Sequence, residues 1–154
     1  KVSVMPNTQY IEGSPVIECS LVAAESLQEM LIQSWGDVIQ VFPAVPAEWN
    51  DVSFQDLRAE GAFLITAVRK DGATGWIRIK SLAGEPCRVK PNFNGPFHLS
   101  SDSPVKSSEI KPGIFELNLK KGQEVILYQD ENSLRTAVAP VAIPQEKANF
   151  WGVK

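Results

Sequence analysis

The chain has 154 residues, about the size of one ordinary domain, and a composition of 44% hydrophobic, 21% charged and 8% aromatic residues excludes the disordered, collagen-like and coiled-coil classes. Fifteen Lys and Arg against eighteen Asp and Glu leave a formal charge of -3, so no overall positive field exists to hold a nucleic acid. No run reaches the roughly 18 consecutive apolar residues that span a bilayer, and no cationic start leads into an apolar signal-type stretch, so no membrane partner is expected either. The chain opens Lys1-Val2-Ser3 without an initiator Met, which suggests a processed product or an excised piece of something longer.

Residues 1–20 mix apolar pairs with Pro6, Gly13 and Pro15 and read as an extended or irregular lead-in. The stretch from Leu21 to Ser34 has no Gly, Pro or Asp, and Ala23, Ala24, Leu27, Met30, Leu31 and Ser34 recur at helical spacing on one face. Ser20 reads as its N-cap and Gly36 as its stop, which predicts one amphipathic helix whose apolar face must find a partner. Beyond Gly36 the period drops toward two. Short apolar runs follow at Val38–Phe42, Ala62–Lys70, Trp76–Leu82, Cys87–Val89, Ile114–Leu119, Gln123–Tyr128 and Val138–Ile143, each bounded by Gly, Pro, Asp or Asn. Asp71-Gly72 and Lys121-Gly122 each separate two runs and are read as hairpin turns. Phe115, Leu117 and Leu119 alternate with Glu116 and Asn118, giving a dry and a wet face, and dry faces need each other. The expected fold is mainly β: an antiparallel two-sheet β-sandwich preceded by one α-helix.

Chemistry-bearing residues are sparse. His98 is the single histidine and lies in Phe97-His98-Leu99-Ser100, on a strand or its edge, where it is the only base of its kind for a nucleophilic triad. A metal site needs several imidazoles or thiolates close together and the sequence holds no such cluster, so neither a metal nor another cofactor is expected. Cys19 and Cys87 lack the spacing of a zinc site and are read as two free thiols. Among Trp35, Trp49, Trp76 and Trp151, Trp76 is the best candidate for a sugar-stacking platform, because alternation with Ile77 and Ile79 turns it outward; the others read as packing. Spacing alone selects no carboxylate pair for glycoside hydrolysis.

One stretch carries a resemblance. Glu29-Met30-Leu31-Ile32-Gln33-Ser34-Trp35-Gly36-Asp37-Val38-Ile39-Gln40-Val41-Phe42-Pro43-Ala44-Val45-Pro46, closed by Trp49, resembles the junction at the end of the catalytic barrel in glycoside hydrolase family 95, which contains α-L-fucosidases and related exo-acting enzymes. Leu57-Arg58-Ala59-Glu60-Gly61-Ala62-Phe63 is similar to that family's next element, a turn into a strand, and Asn149-Phe150-Trp151-Gly152 to the way many such chains end. The match covers about residues 15–70. The resemblance implies an (α/α)6 barrel upstream, whose last helix would end here, and a C-terminal β-sandwich. It also implies one functional position: counting back from Glu29, the family's water-activating Asp falls on Glu18. Here the carboxylate is one methylene longer, the family's Gly-Asn-Phe-Gly is replaced by Cys19-Ser20-Leu21-Val22, and its His after Gln-Ser by Trp35. Read without the resemblance, Glu18 is a carboxylate at a helix start, where the positive end of the dipole favours it.

The expected organisation is therefore residues 1–36 as the tail of an absent barrel and 37–154 as the sandwich. The expected role is non-catalytic, bracing the barrel of the same parent chain, while the glycan substrate belongs to that parent, in a secreted or periplasmic setting. Two rivals stand beside it: an independent carbohydrate-binding module using Trp76, and a protein-interaction sandwich working through loops such as Ser100–Ser108.

Overall fold

In the computed structural model, residues 3–4, 10–12, 14–15 and 17–138 are described. The chain divides into two compact units, Lys1–Gln28 with Pro140–Lys154 and Glu29–Ala139. In the first, β1 (Ser3–Val4), β2 (Tyr10–Glu12) and β3 (Ser14–Pro15) form a small antiparallel sheet, with Ser3 opposite Ile11 and Ile11 opposite Pro15. Helix α1 spans Ile17–Leu31, and its last three residues belong to the second unit.

The helix starts and stops earlier than its sequence signals suggest. Ser20 lies inside it, and it ends five residues before Gly36, because Ile32 and Gln33 leave helical geometry to form β4 (Ile32–Gln33), paired with β5 (Ile39–Val41). A sheet partner within reach overrides the weak local preference of Ile-Gln-Ser for continued helix. The freed carbonyls at the helix end are taken by the returning chain: Phe42 N–H donates to Leu31 O at 2.7 Å and Ala44 N–H to Met30 O at 3.3 Å. Gly36, at φ 75°, instead turns the chain between β4 and β5.

The second unit is a two-sheet β-sandwich. Sheet I has the order β10 (His98–Ser100), β13 (Glu124–Tyr128), β8 (Ala73–Ser81), β7 (Phe63–Lys70), β6 (Val52–Ala59) and is antiparallel throughout. Sheet II has the order β11 (Lys106–Lys111), β12 (Ile114–Asn118), β9 (Pro86–Lys90), β5, β4. It contains one exception to the antiparallel rule: β5 runs parallel to β9, with Ile39 opposite Val89. One core lies between the sheets. Sheet II contributes Ile32, Ile39, Val41, Cys87, Val89 and Leu117; sheet I contributes Phe54, Phe63, Ile65, Ile77, Ile79, Val125 and Leu127. The period-two pattern does this, since every second residue of β8, β9 and β13 faces inward. A polar staple crosses the same interior: Thr74 Oγ1 donates to Asn92 O at 3.1 Å and Asn92 Nδ2 donates to Val41 O at 2.7 Å.

The two Xaa-Gly turns behave differently. Asp71 and Gly72, at φ 49° and 77°, join β7 to β8 as a two-residue turn of the primed kind, with Lys70 opposite Ala73. Lys121-Gly122 makes no hairpin: β12 belongs to sheet II and β13 to sheet I, so this turn carries the chain across the sandwich. The crossing is fixed by Gly122 N–H donating to Ser81 O at 2.8 Å and Ser81 N–H to Gln123 O at 2.9 Å. Gly84 lies so close beneath it that a Cβ there would stand 2.7 Å from Lys121 N. The loop expected at Ser100–Ser108 is in part strand β11, which sequence pattern missed because all six of its residues are exposed. Of the expected run Val138–Ile143, all but Val138 lies outside the described residues, as do Trp151 and the Asn149–Gly152 segment.

Candidate functional site

Glu18 sits in the first turn of α1, exposed, where the helix dipole favours a carboxylate. Trp76 is far along the chain, on β8 in the sandwich, and the two do not share a unit. Alternation does turn Trp76 to the outer face of sheet I, between Val68 on β7 and Tyr128 on β13, and the ring of His98 lies 5.6 Å from that of Tyr128. The indole is half-buried, and its N–H donates to Thr136 O at 2.9 Å. The nitrogen is thus held by the chain's own backbone just after a short helical turn at Ser133–Arg135. Val68, beside Trp76, is 2% exposed although its neighbours Ala67 and Arg69 straddle the core and the surface, so this part of the outer face is covered.

A second cluster on the same face spans three strands. Arg78 on β8 reaches Asp56 Oδ1 at 2.8 Å and Thr66 Oγ1 at 3.0 Å, and Asp56 N–H donates to the same hydroxyl at 3.1 Å. Asp56 takes φ 53° at the point where the β6–β7 register slips, a conformation Asp tolerates better than most residues. Arg78 Nη2, Asp56 Oδ1 and the Thr66 hydroxyl thus satisfy one another across three strands, which makes the cluster a strand clamp. Arg88 and Glu116 form a comparable cross-strand pair at 3.0 Å on sheet II. Lys70 pairs with Asp51 at the tip of the β7–β8 hairpin; the ammonium holds that carboxyl below the ordinary carboxylate range.

Cys87 is a free, buried thiol, pushed up to about 12 by burial, and so carries no nucleophilic thiolate near neutrality. The Cys19 side chain lies outside the described part. Among the described residues no group of three or more His, Cys, Asp or Glu could hold a metal ion. No helix among them is long and apolar enough to cross a membrane.

Depressions also mark the surface of the described residues. One of about 280 Å³ lies between Ser34, Asp37, Glu60, Glu85 and Arg88 over Ile39 and Phe63. Another, about 550 Å³, opens between edge strands β10 and β11 and is lined mainly by Phe93, Pro96, Phe97, Leu99 and Phe115. Sequence reading missed it because its phenylalanines come from a loop, Phe93 and Phe97, and from a strand of sheet II, Phe115.

The arrangement so far is a sandwich whose charged side chains pair across neighbouring strands. Its order of elements is a helix turning directly into an edge strand and then nine more strands in two sheets. The model of the glycoside hydrolase family 95 C-terminal domain matches residues 33–127, from the end of β4 through β13. The chain belongs to that family. A comparison with curated proteins finds no match. The family 95 C-terminal domain thus comprises both sheets, the Asp56–Thr66–Arg78 clamp, Trp76 and both depressions, while Glu18 falls upstream of the matched region. Family membership also places this domain, in the parent protein, in association with a family 95 catalytic domain.

Proposed function

We propose that the family 95 domain described here is a non-catalytic brace for the (α/α)6 barrel of an exo-glycosidase of the α-L-fucosidase type, with a glycan as the parent's substrate. The observation that carries the reading is the way the helix end is built into the sandwich. Leu31 packs against the core, and the Leu31 and Met30 carbonyls accept hydrogen bonds from Phe42 and Ala44. The chain passes from Leu31 of the helix straight into Ile32 of β4, so the last turn of α1 is part of the sandwich's own edge. Beside this junction Trp35 is 65% and Trp49 40% exposed, two large apolar surfaces of the kind that a neighbouring domain covers. On α1 itself Ile17, Leu21, Val22 and Leu27 are exposed, as befits a helix whose partners are other barrel helices.

In this reading Glu18 is the water-activating carboxylate of the parent. Inversion needs a general acid as well as a base, the two about 6.5–9.5 Å apart, and only the base is assigned to this chain. The 154-residue chain should therefore show no turnover of an aryl α-L-fucoside. In the full-length parent, Glu18→Gln should lower kcat by about 10²–10⁴ with KM and thermal stability nearly unchanged, the usual contribution of a general base. Unaltered kcat in that variant would remove Glu18 from the chemistry. Turnover by the isolated chain would overturn the bracing role itself.

A further inference from the structure

The segment that joins β9 to β10 lines the groove beside β10 with Phe93 and Phe97, and between those two residues it carries Asn94-Gly95, the one Asn-Gly pair in the sequence. An asparagine is chemically labile when the next backbone nitrogen can reach its side-chain carbonyl carbon, and glycine, having no Cβ, leaves that approach unhindered. Asn94 and Gly95 are both exposed and lie in a bend outside any strand. Among the described residues neither the Asn94 side-chain amide nor the Gly95 N–H has a hydrogen-bond partner.

The comparable sites are hindered or locked. Asp71-Gly72 is the chemical analogue, but the Gly72 N–H donates to Asn50 O at 3.0 Å in its hairpin turn. Asn132 precedes Ser133, whose N–H is taken by Asp130 O at 3.2 Å and Asp130 Oδ1 at 3.0 Å. Asn92 has its amide committed to Val41 O and is followed by the bulky Phe93. Asn118 is followed by the buried Leu119, and Asn50 by Asp51, whose side chain and negative charge oppose attack by its nitrogen. A nitrogen that holds a hydrogen bond must give it up before it can turn onto a carbonyl carbon, so each lock adds to the barrier. Of these positions, Asn94 alone combines a free side chain with a free and unhindered amide.

We propose that Asn94 is a self-modification site, converted to isoaspartate through a cyclic imide, and that the conversion loosens the aromatic packing of this edge. The Gly95 nitrogen bonds to Asn94 Cγ and gives up its proton, the Cγ–Nδ2 bond breaks, and Nδ2 leaves with that proton as ammonia. Water then opens the ring. Attack at Cγ yields aspartate; attack at the backbone carbonyl carbon yields isoaspartate, whose main chain runs through Cβ and Cγ. Either product has exchanged an NH2 for an OH, a gain of about one dalton, and carries a new negative charge. Isoaspartate also inserts a carbon into the backbone between Phe93 and Phe97, whose rings stack at 5.2 Å. The test is incubation of the 154-residue chain in mildly alkaline buffer, followed by peptide mass mapping and an isoaspartyl assay. The mass gain should arise at Asn94 before it does at Asn50, Asn92, Asn118 or Asn132, with isoaspartate in excess, and the separated isoaspartate form should melt below the unaged protein. Gly95→Ala should suppress the conversion and keep the fold, because Gly95 is not at positive φ and a Cβ there would meet only Gln129 Nε2, at 3.6 Å. Conversion first at any of the other four asparagines, aspartate alone at position 94, or an unchanged rate in Gly95→Ala would each overturn the site, and equal melting of the two forms would overturn the loosening. None of these outcomes depends on the bracing role, which is tested in the parent enzyme.

Discussion

The two long edges of the sandwich solve the same problem in opposite ways. At the β4–β6 edge the interior is sealed: Ile32, Ile39, Val41, Phe42 and Phe54 are all buried, and the last turn of α1 closes over them through Leu31. Phe42 is held there at φ 52°, an unfavourable conformation for an aromatic residue, because its N–H caps the helix and its ring meets Phe54 edge to face at 5.4 Å. At the β10–β11 edge Phe93, Phe97 and Phe115 are only half-buried among the described residues, and Lys106, Glu109 and Lys111 protect the exposed strand by charge. A covered edge contributes stability. A charged edge leaves its aromatic rings partly in water.

Removing an aromatic side chain at each edge is the most direct way to break this contrast. Phe54→Ala should cost about 3–5 kcal/mol, the range for a buried Phe with a cavity left behind, whereas Phe93→Ala at the open edge should cost about 1–2 kcal/mol because its ring is already partly in water. Urea denaturation of both variants measures the difference directly, and equal losses would mean that the open edge is sealed in solution. Next in size is an effect on β9, the central strand of sheet II between the two edges. Burial holds Cys87 protonated in the native state up to about 12, against 9.0 for an ordinary thiol, so between these values the unfolded chain loses a proton the folded one keeps. Stability should fall through this window as pH rises, and Cys87→Ala should lessen the slope by about 1.4 kcal/mol per pH unit. Identical alkaline slopes in the two proteins would show that the interior beside β9 admits water. The smallest effect belongs to the solvent-exposed Asp51–Lys70 pair at the hairpin tip. Because Lys70 depresses the Asp51 carboxyl, its contribution is present above the ordinary carboxylate value of 3.8 and is lost as pH falls through the native one. Asp51→Asn should remove that small acid-side dependence and leave both edges unchanged, as thermal melts at two pH values would report.

Much of this architecture is legible in the sequence, for identifiable reasons. Strands whose two faces differ announce themselves: Phe115, Leu117 and Leu119 alternate because one side is dry, and Asp71-Gly72 marks its hairpin because both residues need positive φ. Strands with both faces wet, such as β11, carry no period and stay hidden. Lys121-Gly122 was misleading for another reason. The same turn chemistry serves a hairpin and an inter-sheet crossing, and what separates them is the pairing of Gly122 and Gln123 with Ser81, a residue of β8 remote in sequence from the turn. The helix was visible by its composition, but its end was set by the pull of β5 on Ile32 and not by Gly36. The family resemblance in residues 29–63 likewise pointed to the matched domain, whereas the groove, assembled from residues dispersed between Lys90 and Phe115, has no local signature.

The parallel pairing of β5 with β9 also bears on how the chain acquires its structure. The hairpins β6–β7 and β7–β8 join neighbouring segments and can form as soon as those residues meet, but Ile39 has no sheet partner on that side until Val89 has been delivered. Contacts between distant positions carry the largest loop-closure entropy and come late. Sheet I is thus the natural nucleus, and sheet II condenses onto it. During synthesis the Ile39–Val41 segment must wait, with its apolar face unpaired, until the ribosome has passed β9.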